Sequence, residues 1–210
     1  MAVYYHTSIP TSHDRRDSRL AKLDAADGPY TAIILAKAGL VRYGAGHRIT
    51  ADIPAPTMYY AVSQGALAIE IRSDDVEARS VLQTLVHQPT EWMCSAERSF
   101  LRILEGGCTV PVGINSSLAA AATSASTLTL TGCITSLNGE VHVQHTLVDD
   151  VRSREDAEAA GERLAHVLME TGAKKILDEV AADRARRTGE AKTETEVQKI
   201  EAAMDGAVQA

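Results

Sequence analysis

Two alternating segments joined by Asn138-Gly139 limit what this chain can fold into more than any other feature does. Thr127 to Thr135 sets Leu128, Leu130 and Ile134 among threonines, and Glu140 to Leu147 puts Val141, Val143 and Leu147 on one face. A period of two marks a strand with one face in a core, and Asn-Gly supplies the backbone of a tight hairpin turn. The chain must therefore carry an antiparallel sheet, and the apolar face of that sheet needs cover. Pro89 fits the first position of a helix, and Met93, Ala96, Phe100, Leu101 and Leu104 recur at helical spacing until Gly106-Gly107 stops them. Thr109 to Ile114 then opens a strand. A second helix runs from Arg154 with Ala160, Leu164, Val167 and Leu168, breaks at Gly172, and resumes through Ile176, Leu177 and Val180. Residues 88–183 thus read as a small α+β unit with helices on one side of an antiparallel sheet. The low-complexity run from Ser116 to Ser126, SSLAAAATSAS, reads as a mobile loop between strands.

Before Gln88 the pattern is different. TAIILA, Thr31 to Ala36, and ALAIEIR, Ala66 to Arg72, are short apolar runs rich in branched residues, as expected of strands buried on both faces. A helical segment from Ser18 carries Leu20 and Leu23 and stops near Asp27-Gly28. A short helix or turn covers Ala38 to Gly44, and Asp74-Asp75 cap a helix from Val76 to His87. This portion is α/β in character. Residues 1–17, with the charged run Asp14-Arg15-Arg16-Asp17, read as an irregular, disordered end, and residues 184–210 as a charged tail.

Composition excludes several function classes. Of 210 residues, 45% are hydrophobic and 23% charged, with a formal net charge of -7, which describes a globular chain with no electrostatic reason to seek nucleic acid or an anionic membrane. No apolar stretch approaches a membrane span and the start lacks a signal-peptide pattern, so the expected compartment is the cytoplasm. Cys94, Cys108 and Cys133 are an odd, widely spaced set, neither a disulfide framework nor a zinc site. His142 and His145 would point to opposite faces of a strand, and no phosphate-cradling glycine motif is present. Cys108 follows the Gly-Gly stop on a corner between a helix and a strand. Local rules leave two readings of it open: a packing cysteine, or a thiol that carries an attached group over a cleft.

The run ERSFLRILEGGCTVPVG, Glu97 to Gly113, resembles the signature of the hydroxymethylbilane synthase (porphobilinogen deaminase) family. SRLAKLD with YTAIILAKAGLVRYG, between Ser18 and Gly44, and AVSQGALAIEIRSDD, Ala61 to Asp75, resemble the same family in the same order. The resemblance runs from about Ser18 to about Ala182. It implies a protein of tetrapyrrole (haem) biosynthesis that links four porphobilinogen units, with release of ammonia, on a dipyrromethane cofactor held by a thioether to Cys108. It implies a fold of α/β plus α+β class: an incomplete, periplasmic-binding-protein-like α/β portion followed by a small antiparallel-sheet domain. In that scheme residues 18–60 are a remnant of the second α/β domain, residues 61–87 belong to the first, and residues 88–183 are the C-terminal domain with the cofactor cysteine.

The substrate and the growing product carry many carboxylates, which suit the planar, permanently charged fork of arginine. The resemblance places Arg19 and Arg42 among the carboxylate clamps, Gln64 facing the cofactor, and backbone around Ala36 along the cleft. It also implies a small-molecule partner, porphobilinogen, with no nucleic acid or membrane, and a monomer if intact. Two departures stand out. The Lys-Asp motif that carries the family's catalytic aspartate has no counterpart in this chain, so no catalytic residue is assigned, and Ser63 stands where the family usually has glycine. The resemblance therefore admits a second expectation, a truncated and catalytically silent homologue that acts at most as a binding or interaction module.

Overall fold

The computed structural model describes residues 16–104, 110–120 and 125–189. They divide into two units, one up to Asp52 and one from Ile53 onward.

The first unit is small. Helix α1 spans Arg16–Asp24 and helix α2 Lys37–Arg42, followed by a single 3-10 turn at Gly46–Arg48. Among its described residues, Leu40 and Ala45 are the buried apolar ones. Ion pairs on its surface, Arg48 with Asp24 at 2.5 Å and Lys37 with Asp52, link its segments. Pairs this exposed contribute at most about 1 kcal/mol each. The strand expected over Thr31 to Ala36 does not form: the segment has no ladder partner among the described residues, and Ile34 is 38% exposed.

The second unit holds the core. Its first helix, α3, spans Val76–Gln83 and is capped as the sequence predicts, with the Asp75 carboxylate accepting the Ala78 N–H at 2.9 Å. Helix α4 covers Gln88–Ile103 with proline in its first turn, and is followed by strands β1 (Val112–Ala120), β2 (Ser126–Thr135) and β3 (His142–Val151). These form one antiparallel sheet in the order β1-β2-β3. Register runs from Val112 opposite Ile134 to Ala120 opposite Ser126, and from Ser126 opposite Val151 to Thr135 opposite His142. The turn at Asn138-Gly139 closes the β2-β3 hairpin, with Gly139 at φ 75°. Only glycine and a few polar residues adopt that backbone readily.

Helix α5, Arg154–Leu168, starts at a Ser153 cap whose hydroxyl accepts the Asp156 N–H at 3.1 Å. A wide turn at Met169–Ala173 kinks it at Gly172, where φ is 118°, and the last helix, α6, continues over residues 174–189. The α4 and α5 stripes close over the sheet. Phe100, Ile114, Leu128, Leu130, Ile134, Leu164 and Leu168 are fully buried, and every residue of the core cluster lies between Trp92 and Val180.

Two expectations are corrected in this unit. Ser116 to Ala120 is not loop but the second half of β1, and Ser126 opens β2; residues 121–124 lie outside the described residues. Small side chains made the run look featureless, yet the backbone ladder with Ser126 to Leu130 needs no large ones. Ala66 to Arg72 is likewise no strand. Leu67 is 80% and Ile69 63% exposed, and the segment has no neighbouring strand among the described residues. An apolar run has a strand preference, but only a partner backbone turns that preference into a sheet.

Candidate functional site

A buried carboxylate organises one edge of the sheet-bearing unit. Glu97 projects from α4 within its core-facing stripe and is only 3% exposed. A charge there must find donors. The Ser63 N–H donates to Oε2 at 2.6 Å, the Ser116 hydroxyl to Oε1 at 2.5 Å, and the Tyr60 hydroxyl to Oε1 at 3.4 Å. Tyr60 is itself fixed from two sides. Its hydroxyl accepts the Ser116 N–H at 2.6 Å, and its backbone exchanges two hydrogen bonds with Ile114, at 3.1 and 2.8 Å, as a one-residue bridge to β1. Gly113 makes this docking possible, because a Cβ there would lie 2.5 Å from the Tyr59 Cβ.

Burial pushes the Glu97 carboxyl above the usual carboxylate range, while Ser116, Ser63 and Tyr60 pull it back. Burial also raises the Tyr60 hydroxyl and the thiols of Cys94 and Cys133. A raised thiol is protonated near neutral pH and is a poor nucleophile, so neither of these two cysteines is poised for chemistry.

The bonded segment carries Gln64. The Gln64 N–H closes a turn onto the Ala61 carbonyl at 2.9 Å, the Ala66 N–H one onto Ser63 at 3.1 Å, and the Gln64 side chain is exposed above them. Ser63, with φ 58°, is the one non-glycine residue with positive φ among those described, and Gly65 follows at φ 84°. A serine in that conformation carries about 1 kcal/mol of strain. Its hydroxyl is enclosed with no hydrogen-bond partner beyond the weak one the Cys94 thiol offers. Glycine would remove both costs against a smaller loss of unfolded-state entropy. Ser63→Gly is therefore expected to stabilise the protein by about 1 kcal/mol, read as a higher urea midpoint; an unchanged or lower midpoint would show that the turn carries no strain.

The other residues singled out from sequence fall elsewhere. Arg19 lies on α1, exposed, and Arg42 ends α2, also exposed. Ala36 is the residue before α2; its backbone is extended and its carbonyl accepts the Leu40 N–H at 3.1 Å. These three belong to the first unit and Gln64 to the second. Cys108 lies outside the described residues, in the connection between α4 and β1. Glu97 and Tyr60 were not singled out by sequence as site residues. A signal for Glu97 existed: a carboxylate one position after Ala96 and three before Phe100 falls inside an apolar helical stripe, where it must be paired. No such signal marks Tyr60, whose partner in β1 is distant in sequence. No helix among the described residues is long and apolar enough to cross a membrane.

Comparison with known proteins places two family descriptions along the chain. Residues 3–80 match "Porphobilinogen deaminase, dipyromethane cofactor binding domain", and residues 92–170 match "Porphobilinogen deaminase, C-terminal domain". Among curated relatives, the porphobilinogen deaminase of Synechococcus elongatus is 47% identical over 180 residues, which are 85% of this chain and 53% of that protein. That of Nostoc sp. is 43% identical over 178 residues, 85% of this chain and 52% of the relative. The yeast Debaryomyces hansenii protein of the same name is 42% identical over 167 residues, 80% and 45% respectively. The chain spans about half the length of the curated relatives it matches.

Proposed function

Since the chain belongs to the porphobilinogen deaminase family, we propose that it serves tetrapyrrole biosynthesis as a hydroxymethylbilane synthase-like protein that carries dipyrromethane on Cys108. The observation that carries this reading is the 47% identity over 85% of the chain, together with the matches to both the cofactor-binding and the C-terminal descriptions. When bound, dipyrromethane supplies the primer on which porphobilinogen units are joined with release of ammonia.

The residues present suit such a group. Arg19 and Arg42 present guanidinium groups on exposed helix positions, the donors that pyrrole-borne carboxylates require. Gln64 offers both a donor and an acceptor from an exposed position on a turn that is fixed from below. Cys108 would supply the sulfur of the thioether, and backbone at Ala36 would border the cleft. In this reading residues 18–60 and 61–87 are pieces of two periplasmic-binding-protein-like α/β domains, residues 88–183 are the cofactor-bearing domain, and porphobilinogen is the partner.

Intact mass of the chain co-expressed with a porphobilinogen source tests the reading. An adduct of dipyrromethane mass is expected on the wild type and none on Cys108→Ser; an unmodified wild-type thiol would overturn it. A second reading, a binding module without turnover, draws support from the segments Thr31 to Ala36 and Ala66 to Arg72, which have no partner strand among the described residues and leave Ile34, Leu67 and Ile69 exposed. Porphobilinogen consumption by the purified chain separates the two, since the second reading expects none.

A further inference from the structure

We infer that Glu97 is a positioning residue, which holds the Gln64 turn in place and through it sets where the Gln64 amide is presented. The inference rests on the reading of Gln64 as a ligand-facing residue, and it adds a residue that this reading does not include.

The geometry is that of a buried anchor. One carboxylate oxygen takes the Ser63 N–H, the residue immediately before Gln64, at 2.6 Å, and the other takes the Ser116 hydroxyl of β1 at 2.5 Å. A single side chain from α4 thereby ties the turn to the helix and the helix to the sheet. Tyr60 closes the circuit, because its hydroxyl reaches both Glu97 and Ser116 while its backbone pairs with Ile114. On its near side Tyr60 and Val62 pack against the core. On its far side Leu67, Ile69 and Ile71 are exposed, so apolar packing does not fix it there. A segment with few buried apolar contacts opens locally unless polar anchors restrain it. An anchor at the residue preceding Gln64 leaves little freedom in the backbone that carries its side chain.

A carboxylate is suited to this work where a neutral side chain is less so. It accepts three donors at once without needing to donate, and hydrogen bonds to an ionised acceptor are shorter and stronger than neutral ones. Ser63, in its left-handed backbone, aims its N–H down at the helix instead of along the chain.

Hydrogen exchange of the full chain tests the anchor, and adduct yield on Cys108 tests its consequence. In Glu97→Ala, amides of residues 61–66 are expected to exchange about tenfold faster, with those of β2 and α5 unchanged. Glu97→Gln keeps an acceptor of the same reach and should return exchange to within about threefold of wild type. If Glu97→Ala unfolds, Glu97→Asp takes its place: it keeps the charge but draws it back by one methylene, and is expected to free the same amides. Exchange at residues 61–66 as slow as wild type in both Ala and Asp variants would overturn the inference.

The functional arm is a double-mutant cycle. Glu97→Ala and Gln64→Ala should each lower adduct yield, Glu97→Gln should restore it, and Glu97→Ala should cost nothing further in a Gln64→Ala background. Additive losses would show that Glu97 acts by general stability and not through Gln64, which also overturns the positioning role. If the wild type carries no adduct, the reading of Cys108 fails, and the exchange arm still decides whether Glu97 holds the turn.

Discussion

Gly161→Ala is expected to destabilise the sheet-bearing unit by about 3 kcal/mol or more, the upper end of what overpacking does in a close-packed core. A Cβ at Gly161 would lie 2.0 Å from the Ala96 carbonyl oxygen, 2.9 Å from its carbon and 3.0 Å from the Phe100 nitrogen. All three are backbone atoms of α4, so no side-chain rotation relieves the clash. The two helices would have to separate, and they share the core residues Ala157, Ala160, Leu164, Ala96 and Phe100. One effect opposes this, since alanine is a better helix former than glycine by up to about 1 kcal/mol. The clash outweighs that gain. Urea denaturation of the full chain measures the outcome, and a midpoint equal to or above wild type would mean that α4 and α5 do not approach as closely as described.

That close approach was only partly legible in the sequence. The stripes were readable: Met93, Ala96, Phe100 and Leu104 on one helix, Ala160, Leu164 and Leu168 on the other, each at helical spacing. Which residue of α5 would touch α4 was not, because Gly161 sits inside a helical pattern like any tolerated glycine. The hairpin was legible for a stronger reason. Asn138-Gly139 has a local backbone demand that few other pairs meet, and the alternating faces on either side fix the register around it.

The failures share a physical cause. Thr31 to Ala36 and Ala66 to Arg72 have strand composition, but a strand is a property of two segments, and composition reports only one of them. Ser116 to Ala120 failed in the opposite direction. Its small, polar and repetitive residues suggested a loop, while the ladder to Ser126 through Leu130 depends on backbone groups that every residue carries.

The site divides in the same way. Gln64, Arg19, Arg42, Ala36 and Cys108 were singled out by resemblance, which points to residues expected to face a ligand. Glu97 was not among them: it accepts from Ser63, Ser116 and Tyr60 within the core, an arrangement visible only once the 34-residue separation between Ser63 and Glu97 is folded away. Its charge in an apolar stripe was the trace left in the sequence. The serine at position 63, where the resemblance leads one to expect glycine, likewise gains meaning from the fold, since the φ of 58° is the backbone for which glycine is suited.

Phe100→Ala is expected to lower stability by about 3–5 kcal/mol, the range for emptying a fully buried aromatic site. Phe100, the chain's single phenylalanine, has no exposed surface. Its ring occupies the space that Gly132 leaves open in β2: a Cβ at Gly132 would meet Phe100 Cζ at 2.6 Å and Leu168 Cδ1 at 3.0 Å. The central strand therefore has a notch into which the helix inserts the Phe100 ring. This complementarity makes a sharper prediction than the loss alone. Gly132→Ala should destabilise the wild type, because the ring cannot move without displacing Leu168. In the Phe100→Ala background the same methyl enters a cavity, so the second substitution should be close to neutral or partly restorative. The coupling between the two sites is expected to exceed about 1 kcal/mol, as for residues in direct contact. Four urea titrations close the cycle. Additive losses would show that the ring does not sit in the notch, and that the packing of α4 on β2 has another origin.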